Sequence, residues 1–540
     1  MGVRVTREIR GARRRARILA AGAVVALLLL GLGARVLADY QWDRVVEYDT
    51  PYAFELEPGE ETSPVVDQVI VFVVDGLRLD TARELPTFRD LGESGSFLVA
   101  RTSEPSLSYP GWTSLTTGSP PEISGVTTNW YEGPVRIDSL FDAASRARVG
   151  TAIAGSVGWR QLYGDVVDTM FTVDDEETAV ADAPIGEAAL RILAEEDPGL
   201  LLVHLPDTDR RGHESGVGRR YRAAARDADA IIARVVEAAG DDTAFVLTSD
   251  HGHIDAGGHG GPEEEVTRVP LVLAGDGLVP GARGEVAQAD VAPAVAALLG
   301  IARPSHATGV LREALLDASD ERRAEIVAVH EEVASRLYAR ANMVVGGSGA
   351  SEAAFEGARE ERLQHDILAR LPIALAAVAL AAVAVVLASL GLDSLAVLAG
   401  TSTFFAAWAG LFFGRGLTFS FSHFNTEDQV PAFLLARLID VVIAGILASA
   451  VAGLVVGWRR RPRGFGAGVG AIAWAMLVIG FAVAVYLTIF GWGVTWRLPH
   501  LPSGFAQFLA LIALFGLGVT AWLGGLVAHG VARLVASRRR

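Results

Sequence analysis

Hydrophobic and polar positions follow different rules on the two sides of Asp366. On the N-terminal side, short apolar runs rich in β-branched residues recur at Gln68–Val74, Val149–Ala154, Leu200–Leu205, Ala244–Thr248 and Val269–Leu273. Each is apolar nearly throughout instead of alternating, the pattern of strands buried on both faces of a parallel sheet. Between them, Thr81–Glu93, Ala183–Glu195, Arg219–Ala239 and Asp290–Leu299 space their apolar residues as helices do. The combination predicts an α/β fold, a mostly parallel sheet sandwiched by helices.

Beyond Asp366 the apolar runs lengthen. Leu371–Leu392, Leu395–Phe413, Pro431–Gly457, Phe465–Val494 and Phe505–Val531 are each long enough to cross a hydrocarbon core of about 30 Å at about 1.5 Å per residue. They predict an all-α membrane domain of five spans. A sixth run, Ile18–Leu37, follows Arg10, Arg13, Arg14, Arg15 and Arg17 and reads as an uncleaved anchor, since a signal peptide has a shorter apolar core. Alternate threading from this basic end places Arg459, Arg460, Arg461, Arg463 and Arg538–Arg540 on the cytoplasmic side. The 41–366 region then lies outside, with the loops Gly414–Val430 and Thr495–Gly504. The expectation is a multi-pass cell-membrane protein with an extracytoplasmic head. Arg437 and Asp440, three apart inside the fourth of the six runs to reach the membrane, read as a mutually satisfied pair. His423, Glu427, Asp428, Arg497 and His500 could extend a polar site in the outer loops.

Charge sharpens this division. Of 63 acidic residues, all but Glu8, Asp39, Asp393, Glu427, Asp428 and Asp440 fall between Gln41 and Asp366. The net charge of -16 argues against a nucleic acid polymer as partner. With no cysteine, a tight metal site must be built from His and carboxylate.

Those residue types collect at strand ends. Gln68–Val74 runs into Asp75-Gly76, Ala244–Ser249 into Asp250-His251-Gly252, and Leu200–Leu205 is followed by Asp207 and Asp209. In open parallel sheets, ligands bind beyond the carboxyl ends of the strands. Asp209 and His213 stand four apart, and His259 lies among glycines in Gly257–Gly261. Asp75, Asp209, His213, Asp250, His251 and His259 thus offer three carboxylates and three imidazoles, a donor set suited to two zinc-like ions. Paired divalent ions clamp the attacking and leaving oxygens of a phosphoryl displacement. For a nucleophile, Pro105–Gly118 reads as a turn entering a helix with Ser108 at its start, where free N–H groups favour an alkoxide and a phosphate. Thr113, Ser114 and Thr116 are rival hydroxyls.

The ordered set of strand-Asp75-Gly, Ser108-Tyr-Pro…Gly118, Asp209-x-x-Gly-His213, Ser249-Asp-His-Gly252, Gly-His259-Gly and Asp290-Val-Ala-Pro…Leu-Leu-Gly300 resembles the alkaline phosphatase superfamily. The likeness is strongest to its type I phosphodiesterase/nucleotide pyrophosphatase branch and covers roughly Asp67–Leu316. The resemblance implies an alkaline phosphatase-like fold and two divalent metal ions, zinc or else manganese. It implies that Asp209, His213 and His259 hold one ion while Asp75, Asp250 and His251 hold the other, which also meets Ser108, the catalytic nucleophile. At Gly111 no side chain is available to hold a phosphate oxygen, so the donor must be a backbone N–H or another group, with Arg160, Arg210 and Arg211 as candidates. His253 reads as a neighbour of the metal site and not a ligand.

The layout is also similar to ethanolamine phosphate transferases of glycolipid-anchor synthesis. The divisions expected are a basic N-terminus (1–17), an anchor (18–38), a two-metal phosphoesterase domain (39–316), a helical linker (317–366) and a five-span domain (367–540). A tethered phosphodiesterase or nucleotide pyrophosphatase-like hydrolase is the first reading. Phosphoethanolamine-type transfer to lipid-linked glycans is the alternative, and a transporter or receptor with an inactive head is the third. Partners follow: a phosphodiester or lipid-linked phosphate substrate, and membrane lipids.

Overall fold

In the computed structural model, residues 2–174, 180–424, 429–461 and 463–539 are described, the side chains of 2–17 and Leu19 excepted. Glu427, Asp428 and Arg540 lie outside the described residues, as do the side chains of Arg10, Arg13, Arg14, Arg15 and Arg17. The first strand, β1 (Gln68–Val74), is buried along its whole length. Val69, Val71 and Val73 enter one apolar core and Ile70, Phe72 and Val74 another. Burying each such side chain stabilises the fold by roughly 1.5–3 kcal/mol, so a continuous apolar run is what a strand with two covered faces requires.

The other strands are β2 (Ser96–Arg101), β3 (Thr151–Ser156), β4 (Thr169–Val173), β5 (Leu200–Leu205), β6 (Thr243–Thr248), β7 (Arg268–Gly275) and β8 (Glu285–Ala287). They form one sheet in the order β4-β3-β5-β1-β6-β7-β2-β8. Neighbours are parallel except β7, which runs against both β6 and β2. Periodicity reveals β1, β3, β5, β6 and β7 but passes over three strands for identifiable reasons. β4 is an edge strand only partly buried along its length, β2 ends on an exposed Arg101, and β8 is three residues long.

Helices cover both faces. After α1 (Gly2–Val46), the N-terminal span, the first helix that bears on the site is α2 (Ser108–Thr117). Then follow α3 (Asp182–Glu195), α4 (Asp207–Ser215), α5 (Arg219–Ala238) and α6 (Val291–Leu299). Helices α2 and α6 pack on the Val69 face, α3 and α5 on the Ile70 face. α7 (Asp320–Val345) adds Ile326 to the first core.

Helix α8 (Glu352–Ser389) carries the juxtamembrane stretch and the following apolar run as one element. It is succeeded by α9 (Ser394–Phe413), α10 (Gln429–Trp458), α11 (Gly464–Phe490) and α12 (Leu501–Ser537). Among the described residues, six helices are long and apolar enough to cross a membrane: α1 from Ala20 onward and α8–α12. Small residues bring α10 and α12 together, a Cβ at Gly453 lying 2.5 Å from the Ala528 carbonyl oxygen. Asp440, buried on α10, is held by Arg437 at 2.9 Å and also by Arg415 at 2.7 Å. The pair read from the sequence is therefore a triad, which leaves neither buried charge uncompensated.

The head packs on one end of this helical body. Thr127 Oγ1 donates to the Val45 carbonyl (2.6 Å), Tyr52 Oη to that of Trp496 (2.8 Å), and Leu498 N–H to Glu122 Oε2 (2.8 Å). The basic residues gather at the other end, where Arg459 pairs with Asp393 at 2.9 Å and Arg460 donates to the Arg539 carbonyl at 3.1 Å.

Candidate active site

The carboxyl ends of β1, β5 and β6 deliver Asp75, the segment leading to Asp209, and Asp250-His251 to one rim. Asp209 and His213 occupy successive turns of α4, with Asp209 Oδ2 3.2 Å from His213 Nε2. His259 Nε2 lies 3.1 Å from His213 Nε2 and 3.7 Å from Asp209 Oδ1. One donor atom from each of Asp209, His213 and His259 falls within a 4.8 Å cluster, and the same holds for Asp75, Asp209 and His251. Asp209 is common to both clusters. Asp250 sits at the edge of the second, its Oδ2 3.6 Å from His251 Nε2. Its Oδ1 accepts Gly76 N–H (3.2 Å) and its Oδ2 accepts the Trp112 indole (2.9 Å), which fix the carboxylate in place.

Tautomers make these imidazoles suitable ligands. His259 Nδ1 lies 3.1 Å from the Ser106 carbonyl and His251 Nδ1 3.2 Å from that of Gly252. A carbonyl accepts only, so each Nδ1 must carry the proton and each Nε2 turns a bare lone pair to the cluster. Burial drives His259 well below the usual histidine range, keeping that lone pair free. Burial raises Asp209, but the imidazoles of His213 and His253 outweigh it and hold the carboxyl well below its usual value. Two Nε2 atoms 3.1 Å apart beside ionised Asp209 form a donor set that a divalent cation fits.

A further layer orients these groups. His204 Nε2 is 2.9 Å from Asp75 Oδ2, and burial pushes His204 down to about 3. His253 Nε2 is 2.9 Å from Asp209 Oδ1, beside the two donor clusters. Gln288 donates to the Ser249 and Asp250 carbonyls at 3.1 and 2.9 Å, so the segment before α6 secures the end of β6.

Ser108 is the first residue of α2, with Leu107 as N-cap. Its Oγ lies 3.4 Å from His251 Nε2. The rival hydroxyls point inward: Thr116 donates to the Trp112 carbonyl (2.8 Å), Ser114 to that of Ser119 (3.0 Å), and Thr113 is fully buried. Gly111 is a packing requirement, because a Cβ there would lie 2.9 Å from Asp250 Cβ.

The groups expected to bind phosphate already have partners in the structure. The first turn of α2 has few N–H groups to offer: Tyr109 N–H goes to Asn129 Oδ1 (3.0 Å), Pro110 has none, and Gly111 N–H goes to the Leu107 carbonyl (2.9 Å). The three arginines are engaged elsewhere. Arg160 donates to Thr172, Arg211 pairs with Glu214 and Arg210 with Asp207. Asn129 was overlooked in the sequence. Its Oδ1 meets Tyr109 N–H beside Ser108, and only the fold brings a residue 21 positions downstream of Ser108 to that place.

The loop carrying His259 rests on the helical body. Gly261 N–H donates to Ser422 Oγ (3.0 Å), Ser422 Oγ donates to Glu263 (2.8 Å), and Gly258 abuts the Ser422 carbonyl so closely that no Cβ fits. His423, expected to extend a polar site, instead accepts Thr418 N–H within its own loop at 2.7 Å.

Residues 69–148 and 135–259 match the family described as type I phosphodiesterase / nucleotide pyrophosphatase. GPI ethanolamine phosphate transferase 1 of Emericella nidulans is 28% identical over 359 residues, 53% of this chain and 38% of that protein. The Mus musculus protein of the same name is 29% identical over 304 residues, 46% of this chain and 33% of its own. The chain thus spans about a third of the length of these relatives. Among solved structures, murine ectonucleotide pyrophosphatase / phosphodiesterase 5 aligns with 46% of this chain and 100% of its own, at 14% identity and a TM-score of 0.40. The head therefore carries the type I phosphodiesterase / nucleotide pyrophosphatase pattern over residues 69–259, in a chain similar over about half its length to GPI ethanolamine phosphate transferases.

Proposed function

We propose that this chain is a membrane-embedded, metal-dependent transferase that moves a phosphoethanolamine-type group from a lipid to a lipid-linked acceptor through Ser108. The sequence reading put hydrolysis first. Transfer is favoured by the packing of the His259 loop on Ser422 of the helical body, which ties the site to the membrane, and by the activity named for the relatives.

In this reading Asp209, His213 and His259 hold one divalent ion and Asp75, Asp250 and His251 the other, zinc or manganese. When bound, such ions supply the positive charge that lowers a hydroxyl pKa and offsets developing phosphoryl charge. Ser108 Oγ attacks phosphorus, the lipid alkoxide departs, and a diester on Ser108 is left. The acceptor hydroxyl then attacks the same phosphorus and Ser108 is released. Asn129 donates to a non-bridging phosphate oxygen, with its amide held by Tyr109 N–H. His204 and His253 orient Asp75 and Asp209. The basic far end of the helical body supports a cytoplasmic placement for that end and an extracytoplasmic head.

The test is full-length protein in liposomes holding phosphatidylethanolamine labelled in its headgroup, with a membrane-anchored glycan as acceptor. Label is expected to pass to the acceptor, to stop with Ser108→Ala, and to stop on chelation. Release of free phosphoethanolamine with no labelled acceptor returns the hydrolase reading to first place.

A further inference from the structure

A cavity of about 1190 Å³ lies where the head meets the helical body, larger than the roughly 300–1,000 Å³ of ordinary small-molecule sites. Its walls come from the outer part of α1, from the head segment Trp130–Arg136, and from α10 and α12. Both α1 and α10 pack on α12, so the cavity occupies the cleft between α1 and α10 with α12 behind it.

The lining changes character along its depth. Leu434 and Leu438 of α10 and Ile512 and Phe515 of α12 make an apolar floor inside the membrane-spanning helices. Trp42 and Trp130 meet edge to face at 5.4 Å above it, and tryptophan favours the membrane-water boundary. Charged residues form the rim. Deeper on α1 than Trp42, near the level of the floor, Arg35 pairs with Asp39, while on the rim Arg136 pairs with Asp49 at 2.9 Å, so both guanidinium groups are neutralised locally. Glu47 and Glu132 add two exposed carboxylates. An apolar floor, an aromatic waist and a net-negative rim fit an amphipathic molecule with hydrocarbon chains and a cationic head.

This wall is joined to the nucleophile helix. Trp130 and Tyr131 follow Asn129, whose Oδ1 accepts Tyr109 N–H at 3.0 Å. Gln161 donates to the Tyr131 carbonyl at 2.6 Å and accepts from Tyr109 Oη at 3.3 Å. Ser108 precedes Tyr109, so the cavity wall and the start of α2 form one hydrogen-bonded unit.

We infer that the cavity seats an amine-headed phospholipid, its chains against α10 and α12 and its ammonium group at Glu47 and Glu132. Its role as the waiting place of a donor lipid rests on the transfer reading above; the binding itself does not.

The test uses full-length Ser108→Ala protein, so no turnover consumes the lipid. It is passed through nanodiscs of equal phosphatidylethanolamine and phosphatidylglycerol, and retained lipid is read by native mass spectrometry. Phosphatidylethanolamine is expected to be enriched about fivefold, the ratio one exposed ion pair supports. Glu47→Gln with Glu132→Gln is expected to bring the ratio to about one, and Leu434→Trp or Leu438→Trp, each made singly, to lower the total retained. Equal retention of the two lipids by the parent, or retention indifferent to all these substitutions, overturns the site. If retention behaves as expected while the liposome assay shows no transfer, the cavity stands and the transfer reading falls.

Discussion

In the proposed reaction, Ser108 and Asn129 divide the chemistry of the site between two side chains 21 positions apart. Ser108 offers its hydroxyl 3.4 Å from His251 Nε2. Asn129 accepts from Tyr109 N–H, which settles the orientation of its amide: the oxygen faces the helix and the donors face away. Removing one preorganised donor to a reacting oxygen typically costs about 10²- to 10³-fold in kcat. Asn129→Ala is therefore expected to lower kcat for transfer by about 10²-fold while metal content, read by mass spectrometry, stays at the parent level. Asn129→Asp, which keeps the acceptor for Tyr109 and loses the donors, should do the same. An unchanged kcat in both variants removes Asn129 from the phosphate site.

At the scale of elements, the loop Gly257–Gly261 and the loop after α9 behave as one piece. Gly258 passes against the Ser422 carbonyl where no Cβ fits, and Gly261 N–H is held by Ser422 Oγ. Any side chain at 258 must push the two loops apart and carry His259 with it. Gly258→Ala is expected to weaken metal binding at least about tenfold, since second-layer supports of metal ligands typically contribute 10- to 100-fold. The check is chelator competition on the full-length protein. For the same reason, a head cut from the helical body loses the support of Ser422, and its inactivity would not separate transferase from hydrolase. An affinity for zinc unchanged by Gly258→Ala would show that the loops are independent.

The whole molecule is polarised. The head, Trp496, Leu498 and Ser422 meet at one end, while Arg459, Arg460 and Arg539 gather at the other. Basic loops stay on the cytoplasmic side, so protease added to intact spheroplasts is expected to cleave within the head and to spare a tag placed after Arg539. Protection of the head together with loss of the tag would reverse the orientation.

Much of this was legible from composition and spacing because the forces involved are local or one-dimensional. A strand covered on both faces must be continuously apolar, as Val69–Val74 is, and a helix in lipid must be long and apolar, as α8–α12 are. Asp75 and Asp250 could be placed on one rim because parallel strands end on the same side. Edge strand β4 and the short β8 escaped because half-burial and brevity leave no period to read.

What only the tertiary structure decided are contacts between residues far apart in the chain. It put Asp209 in both clusters of potential donor atoms, brought Asn129 to Tyr109, shared Asp440 between Arg437 and Arg415, and set Ser422 beneath the His259 loop. The sequence by itself determined two bodies of different solvent preference and the donor types at the rim, because residue chemistry and period are properties of the chain. Which atoms meet depends on how the sheet, the loops and the membrane helices pack, and packing is settled by all of them at once.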